Sequence, residues 1–217
     1  MMKDLLYKEF KLALHQTTII FMSFSMMLLI PSYPYYVAFF YTTLSLFFTF
    51  MSGRENKDIF YTVMLPIKKR DAVKARCWMV AIIELAHIII SIPFAVISAK
   101  INPSGGNMAG IDANAAFFGL VLIMFAFFNF VFITTFYKTA YKIGRAFVYG
   151  GIVITIFIVA AEALVWIPSP VQAYLDTTAP GSFLSQLPLL LAGVAVWVLM
   201  MLLTYRKSAD SFEKVDL

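Results

Sequence analysis

Residues 115–137 read AAFFGLVLIMFAFFNFVFITTFY, and this uncharged stretch decides the fold class. A helix needs about 20 mostly apolar residues to cross the roughly 30 Å hydrocarbon core of a bilayer. Within that core, only a helix or a closed barrel satisfies its own backbone hydrogen bonds. The alternating ten-residue segments of a barrel are absent from the sequence. The stretch therefore predicts a transmembrane helix.

Five other apolar stretches have a suitable length, which predicts six spans. The first is the least regular, because Pro31 and Pro34 crowd its end and would close a tight hairpin with the second. The fold class is thus an all-α membrane protein with a single transmembrane domain, 1–217. The predicted spans are 16–32, 35–52, 77–98, 115–137, 147–167 and 187–205.

The composition supports a membrane protein, since 61% of the residues are hydrophobic and only 13% are charged. A soluble domain has roughly 25% charged residues. The single cysteine, Cys77, excludes an internal disulfide, and with two histidines a dedicated metal site is not expected. Acidic Asp4 and Glu9 interrupt the N-terminus, so a cleaved secretory signal is not expected.

Basic residues cluster on one side of the predicted spans. Of the 17 Lys and Arg residues, only Lys100 falls on the opposite side. The positive-inside rule then places both termini and the basic loops in the cytoplasm of a multi-pass plasma-membrane protein. The net charge of +5 is explained by this topology, so nucleic acid is not an expected partner and the lipid bilayer is. The basic segments are the N-terminus, 53–76, 138–145 and 206–214.

The N-terminal segment 1–14 has the pattern of an amphipathic helix. Leu5 and Phe10 fall on an apolar face and Lys8 on a polar one, while Glu9 violates the pattern. Such a helix lies in the membrane interface. It serves either as a simple anchor or as an element that transmits movement from a cytoplasmic partner.

The loop 53–76 predicts two helical pieces. Pro66 ends the first, because it disfavours the α conformation at Leu65, and the second begins near Lys69 and continues into span three. A short helix with apolar side chains among charges suits docking into a groove of another protein, or resting on lipid headgroups. The apolar residues at helical spacing are Ile59, Phe60, Val63 and Met64.

Polar side chains inside the spans are candidates for a cavity or a substrate path. Glu84 and His87 are one helical turn apart, so they predict either a pair that holds helices together or a proton-sensitive site. Glu162, near the outer end of span five, would attract a cationic substrate or simply reach water. The stripe that includes Thr42, Ser45 and Thr49 serves close helix packing or a mildly polar path.

The loop resembles the corresponding region of ABC-2 type permeases. In length and layout the chain is also similar to the membrane subunits of phenol-soluble-modulin-type peptide exporters. The residues that carry the loop resemblance are Asn56, Asp58, Leu65, Pro66, Lys68, Lys69, Arg70, Val73, Lys74 and Arg76.

The resemblance implies an elbow helix at the N-terminus, a coupling helix between spans two and three, and export of amphipathic peptides. It also implies an ABC ATPase partner and a second permease subunit, identical or paralogous. The chain has no phosphate-binding G-x-x-x-x-G-K-[ST] motif, so it is not expected to be an enzyme, and the partner would bind ATP and Mg²⁺. The predicted coupling residues are Asp58, Ile59, Phe60, Val63, Met64, Leu65, Pro66, Lys69 and Arg70.

Two other functions share this topology. A non-transporting assembly, immunity or anchoring subunit would need no ATPase. An intramembrane enzyme would depend on Glu84 and His87, although the chain has neither an H-E-x-x-H nor a G-x-S-x-G motif.

Overall fold

The structure is a computed structural model that describes residues 2–101, 106–139, 142–167, 170–177 and 181–215, without the side chains of Ile59 and Val63. Throughout these ranges the regular elements are helices. They are α1 (Met2–Lys8, continued by a π-helical segment, Glu9–Ala13), α2 (Thr17–Met22, continued by a 3₁₀ segment, Ser23–Leu29), α3 (Tyr36–Glu55), α4 (Asp58–Met64), α5 (Lys69–Ile101), α6 (Ala115–Lys138), α7 (Ile143–Trp166), α8 (Pro170–Leu175) and α9 (Ser182–Glu213).

Five helices of the described chain are long and apolar enough to cross a membrane: α3, α5, α6, α7 and α9. The α1 and α2 pair bends by 89° at the break between its two parts and adds a sixth span if the pair counts as one. The prediction of an all-α membrane protein is therefore confirmed, and the six predicted spans compare with five long helices, or six if the bent pair counts as one.

The first predicted span differs from the others because its second half winds as a 3₁₀ helix. The hydroxyls of Ser23 and Ser25 donate hydrogen bonds to the carbonyls of Ile20 and Met22, three residues earlier. Serine side chains compete in this way for carbonyls that an α-helix would use. The stretch that ends before Pro31 is consequently irregular.

Helix α6 occupies the centre of the bundle. In its most apolar window 72% of the residues are buried, compared with 22% in α7 and 17% in α9. Phe125, Phe128 and Phe132 of α6 are fully buried, and the rings of the last two stack at 5.0 Å. The phenylalanine-rich stretch thus forms the core, and the exposed apolar faces belong to helices around it.

Two glycines allow α6 and α9 to touch along their backbones. A Cβ atom on Gly193 would lie 2.3 Å from the carbonyl oxygen of Gly119, and one on Gly119 would lie 2.7 Å from the carbonyl oxygen of Leu189. Small residues permit such close approach of helices in membranes. The α6–α9 interface is the most extensive in the fold.

Helix α5 is a single continuous rod that starts in the basic loop and crosses to the other side. Its first residues meet the end of α9. Lys69 donates to the backbone oxygen of Val215 at 2.8 Å, and Arg70 pairs with Asp210 and Glu213, each at 2.7 Å. The last helix is thereby held against the segment that follows α4.

Candidate functional site

A buried cluster of charges joins three helices at the basic end of the bundle. Arg76 of α5 is only 2% exposed. Its Nε contacts the carboxylate of Glu9 in the first helical segment, and its Nη2 donates to the carboxylate of Asp58 in α4. One guanidinium thus binds two carboxylates at once, which its fixed fork of donors allows.

Lys8 completes the cluster on the other side of the carboxylates. Its Nζ donates to Asp58 Oδ1 at 2.7 Å and lies 3.2 Å from Glu9 Oε1. The same ammonium donates to Thr62 Oγ1, one turn along α4. Two cations and two anions therefore alternate, which balances the charge of groups that are costly to bury unpaired.

The neighbouring residues make room for the Arg76 side chain and contact it. Its Cζ lies 5.1 Å from the centre of the Phe50 ring, within range of a cation–π interaction. A Cβ on Gly53 would lie 3.1 Å from Nη1, so the missing side chain leaves room for the guanidinium. Tyr137 of α6 lines the same small pocket. Arg76 therefore contacts or borders α1, α3, α4 and α6.

The cluster keeps Asp58 ionised. Burial alone would raise the pKa of this carboxyl, but Arg76 and Lys8 outweigh burial and hold the pKa below its ordinary value. A lowered pKa gives stability that is present above the ordinary value and is lost only as the pH falls through the folded value. The ion pairs of Asp58 are thus complete at neutral pH.

Helix α4 directs its polar face toward the bundle and its apolar face outward. Asp58 and Thr62 are buried against the bundle, and the exposed side chains are apolar. The Thr62 hydroxyl donates to the Asp58 carbonyl at 2.6 Å, which keeps this inner face compact. The α4 outer face consists of Phe60, Tyr61 and Met64 together with Leu65, which directly follows the helix; they are 46%, 63%, 69% and 48% exposed.

The structure separates the predicted coupling residues into three groups. Phe60, Met64, Leu65 and Pro66 are exposed. Asp58 is buried in the charge cluster, while Lys69 and Arg70 bind the end of α9 as described above. The side chains of Ile59 and Val63 lie outside the described residues. The first group forms an exposed apolar surface, and Arg70 is exposed beside the end of α9.

A second buried polar cluster lies inside the membrane-spanning part. Glu84 of α5 accepts hydrogen bonds from Asn129 Nδ2 at 2.8 Å and 3.0 Å, and from Trp197 Nε1 at 2.8 Å. It therefore ties α5 to α6 and α9. His87 binds Thr42 of α3 through Nδ1 instead. The expected Glu84–His87 pair is replaced by two separate interhelical links, because the two side chains meet different neighbours.

The remaining polar candidates also have local partners. Ser45 donates to the carbonyl of Thr42 at 2.7 Å, and Thr49 lies 3.4 Å from the hydroxyl of Thr18 in α2. Glu162 of α7 accepts from the backbone N–H of Ile111 at 3.1 Å. The Thr49 contact joins α3 to α2 and the Glu162 contact joins α7 to a loop, while the Ser45 contact stays within α3. A substrate path along these residues stays a prediction.

Two carboxyls on the side opposite the basic loops are pH-sensitive. Burial raises the pKa of Asp112, and burial together with the nearby Asp112 raises the pKa of Asp176. Asp176 also accepts from the N–H of Asp112 at 3.2 Å, and Asp112 accepts from the N–H of Asn107 at 2.6 Å.

A raised pKa favours the protonated carboxyl in the fold, so its stabilising contribution grows as the pH falls from neutral. We expect these two carboxyls to contribute a rise in the melting temperature of the purified protein as the pH falls from neutral toward their ordinary pKa of 3.8. Asp112→Asn should reduce this rise, because it removes one titrating group and keeps the acceptor oxygen. Glu55→Gln, at an exposed site, is the matched control and should leave the rise unchanged.

A family model described as ABC-2 family transporter protein matches residues 4–213. The chain belongs to this family. It is therefore the membrane-embedded permease subunit of an ABC transporter, a multi-pass protein that associates with an ABC ATPase subunit. Comparison with curated proteins and with solved structures gives no match.

The charge cluster contains residues of this permease that sequence reasoning missed as site residues. Glu9 is the one residue that breaks the apolar face of α1, and its burial beside Arg76 explains the exception. A charge on an otherwise apolar helical face was the available signal. Asn129 is the one amide in the stretch 115–137, which predicts a hydrogen bond to a neighbouring helix, and its bond to Glu84 agrees with that prediction. Trp197 had no comparable signal.

Proposed function

We propose that this permease belongs to an exporter in which α4 is the coupling helix and the ATPase partner binds ATP and Mg²⁺. The orientation of α4 carries the proposal. A helix that rests on lipid directs its apolar face into the membrane and its polar face to water. In α4 the polar face is bound to the bundle and the apolar face is exposed, which suits insertion into a groove of another protein.

The charge cluster gives a route from that surface into the membrane. A push on α4 acts on Asp58, which is bound to Arg76 of α5 and Lys8 of α1. Arg76 in turn holds Glu9. In this proposal α1 is the elbow helix, and both cytoplasmic helices pass movement to the long helix α5.

Two further parts of the proposal concern the substrate and the assembly. We propose that the substrate is an amphipathic peptide and that two permease subunits, identical or paralogous, form the pathway. Support comes from the similarity in length and layout to the membrane subunits of phenol-soluble-modulin-type exporters. The exposed apolar faces of α7 and α9 leave surface for a second subunit.

Leu65→Asp tests the docking surface. The change places a charge on the apolar surface proposed to contact the ATPase, so binding of the ATPase subunit should weaken about thirtyfold, which corresponds to the loss of a hot spot of about 2 kcal/mol. Affinity is measured between purified permease in nanodiscs and the purified ATPase subunit.

Val171→Asp is the matched control, because Val171 is 46% exposed on α8, on the side opposite the basic loops. It should bind the ATPase as the unmodified protein does. Equal binding by the Leu65→Asp variant would contradict docking through α4, and a chain that binds no ATPase at all would instead be a non-transporting assembly, immunity or anchoring subunit.

Reconstituted complexes test the substrate. Amphipathic helical peptides should stimulate ATP hydrolysis and accumulate on the side opposite the ATPase. Peptides of the same composition, with a scrambled order that removes the apolar face, should do neither. Equal stimulation by both sets would contradict recognition of amphipathic peptides.

A further inference from the structure

Residues 106–113, which precede α6 on the side opposite the basic loops, fold into a compact unit that we name the outer cap. Asn107 Nδ2 donates to the Ile111 carbonyl at 3.0 Å, and the Ala109 N–H donates to Asn107 Oδ1 at 3.0 Å. The Asn107 N–H itself donates to the Asp112 carboxylate. Loops that are packed by their own side chains in this way are compact and frequently functional. The outer cap can therefore move as one unit.

The outer cap is bonded to three other parts of the chain. The Met108 N–H donates to the carbonyl of Pro31 at 2.8 Å, in the turn before α3. The Ile111 N–H donates to Glu162 of α7, and the aspartate pair described above joins the cap to the residue after α8. These connections are hydrogen bonds from backbone N–H groups, and each contributes modestly to stability. A relative movement of the helix ends would therefore release the cap.

The seat of the cap on α7 is a single carboxylate. A Cβ on Gly110 would lie 1.8 Å from Glu162 Oε2, so any side chain at this position would displace the carboxylate. The next residue, Ile111, is completely buried and belongs to the hydrophobic core. Loops normally run over the surface, whereas this one inserts an apolar side chain into the core. Glu162 therefore acts as a latch for a loop that plugs this end of the bundle.

Two polar groups at the seat of the cap lack partners. Glu162 Oε1 and the Tyr36 hydroxyl are buried and have no hydrogen-bond partner among the described residues. Tyr36 is completely buried at the start of α3 and interacts electrostatically with Glu162. Most buried polar groups have a partner, and leaving one without a partner costs free energy. Lifting the cap would let water reach both groups and remove this cost, which favours a closure that can be reversed.

Given the proposed export function, we propose that the outer cap is the gate at the exit side of the permease, closed in this structure and opened when the bond between Ile111 and Glu162 breaks. Transport requires a path that is closed on one side while it is open on the other. The cap lies at the end of the bundle opposite α4, so it closes the side away from the proposed ATPase surface. Glu162 is a positioning residue, because it acts through the cap and not on the substrate.

Cysteine labelling during ATP hydrolysis tests the gate. The Ile111→Cys permease, in nanodiscs with its ATPase subunit, is treated with a water-soluble maleimide, and each thiol is quantified by mass spectrometry. An open state with a population of about 10% or less at rest should become a major state during hydrolysis, so position 111 should be labelled about tenfold faster. Native Cys77, which is buried, should stay unlabelled. Lys100→Cys, at an exposed site near the end of α5, is the matched control and should be labelled equally with and without ATP.

Variants of the latch test the gate without the ATPase. In the Ile111→Cys background, Gly110→Val displaces the Glu162 carboxylate and Glu162→Ala removes it, so each should be labelled about tenfold faster at rest. Glu162→Gln keeps an acceptor oxygen for the Ile111 N–H and should be labelled as slowly as the unmodified latch. This rescue by glutamine separates loss of the latch from loss of the fold, which labelling of Cys77 would reveal.

A second reporter serves if the Ile111→Cys chain does not fold. Ser98→Cys is a change of one atom at a site that is 6% exposed and lines a small cavity together with Gly106 and Asp112 of the cap. A reporter thiol that stays protected while the complex hydrolyses ATP would overturn the gate and leave the proposed function intact. Slow labelling of both disrupted latches would overturn it as well. A chain that binds no ATPase would instead contradict the proposed function and, with it, the assignment of an exit gate.

Discussion

Arg76→Met should lower the free energy of unfolding by about 3–5 kcal/mol, because it leaves two buried carboxylates without their shared cation. Glu9 and Asp58 are 2% and 6% exposed, so water cannot replace the guanidinium. Lys8 alone would then face two negative charges. The expected result is a large drop in the melting temperature of the detergent-purified protein.

A rescue experiment separates charge from packing. Glu9→Gln, added to Arg76→Met, removes the one uncompensated negative charge, keeps a similar side-chain volume and leaves the Lys8–Asp58 pair intact, so most of the lost stability should return. Arg54→Met removes an exposed arginine and should change stability little. If the double variant were as unstable as Arg76→Met, packing of the guanidinium rather than ion pairing would explain the loss.

Gly193→Ala should destabilise the bundle by about 3 kcal/mol or more, at the upper end of the cost of overpacking. The new methyl group would lie 2.3 Å from the carbonyl oxygen of Gly119 and 2.7 Å from its Cα. These neighbours are backbone atoms, so no side chain can rotate away. The helices α6 and α9 must separate, which should be seen as loss of folded protein on size-exclusion chromatography and a lower melting temperature.

Gly151→Ala is the matched control, and its expected effect on stability has the opposite sign. A Cβ on Gly151 of α7 meets nothing within 4 Å, and alanine is the better helix former by up to about 1 kcal/mol. This variant should be as stable as the unmodified protein or slightly more stable. If the Gly193→Ala and Gly151→Ala proteins had the same melting temperature, α6 and α9 would not be packed in backbone contact.

The buried ion pairs fix how α1 and α4 are placed on α5. Ion pairs of this kind rarely add stability over apolar residues of the same size, and their better-attested use is to specify one arrangement. Here they specify the positions of α1 and α4 relative to α5. The proposed docking of α4 to the ATPase in one orientation would benefit from such specification.

The sequence predicted the membrane class and the presence of long apolar helices, because each such helix depends on a local run of residues. It also singled out Glu9 as an exception without identifying its partner. It paired Glu84 with His87 because they are one turn apart, whereas the structure links Glu84 to Asn129 and Trp197. Proximity along a helix did not predict which neighbouring helix each side chain would meet.

The amino-acid sequence by itself determined that this is a helical membrane protein with basic loops on one side, because the transfer free energy into hydrocarbon, favourable for apolar and unfavourable for charged residues, adds up residue by residue. Only the tertiary structure decided that Arg76 gathers Glu9 and Asp58, that Gly119 meets Gly193, and that Glu84 meets Trp197. These features join residues far apart in the chain. Their geometry depends on how whole helices pack, which no local pattern encodes.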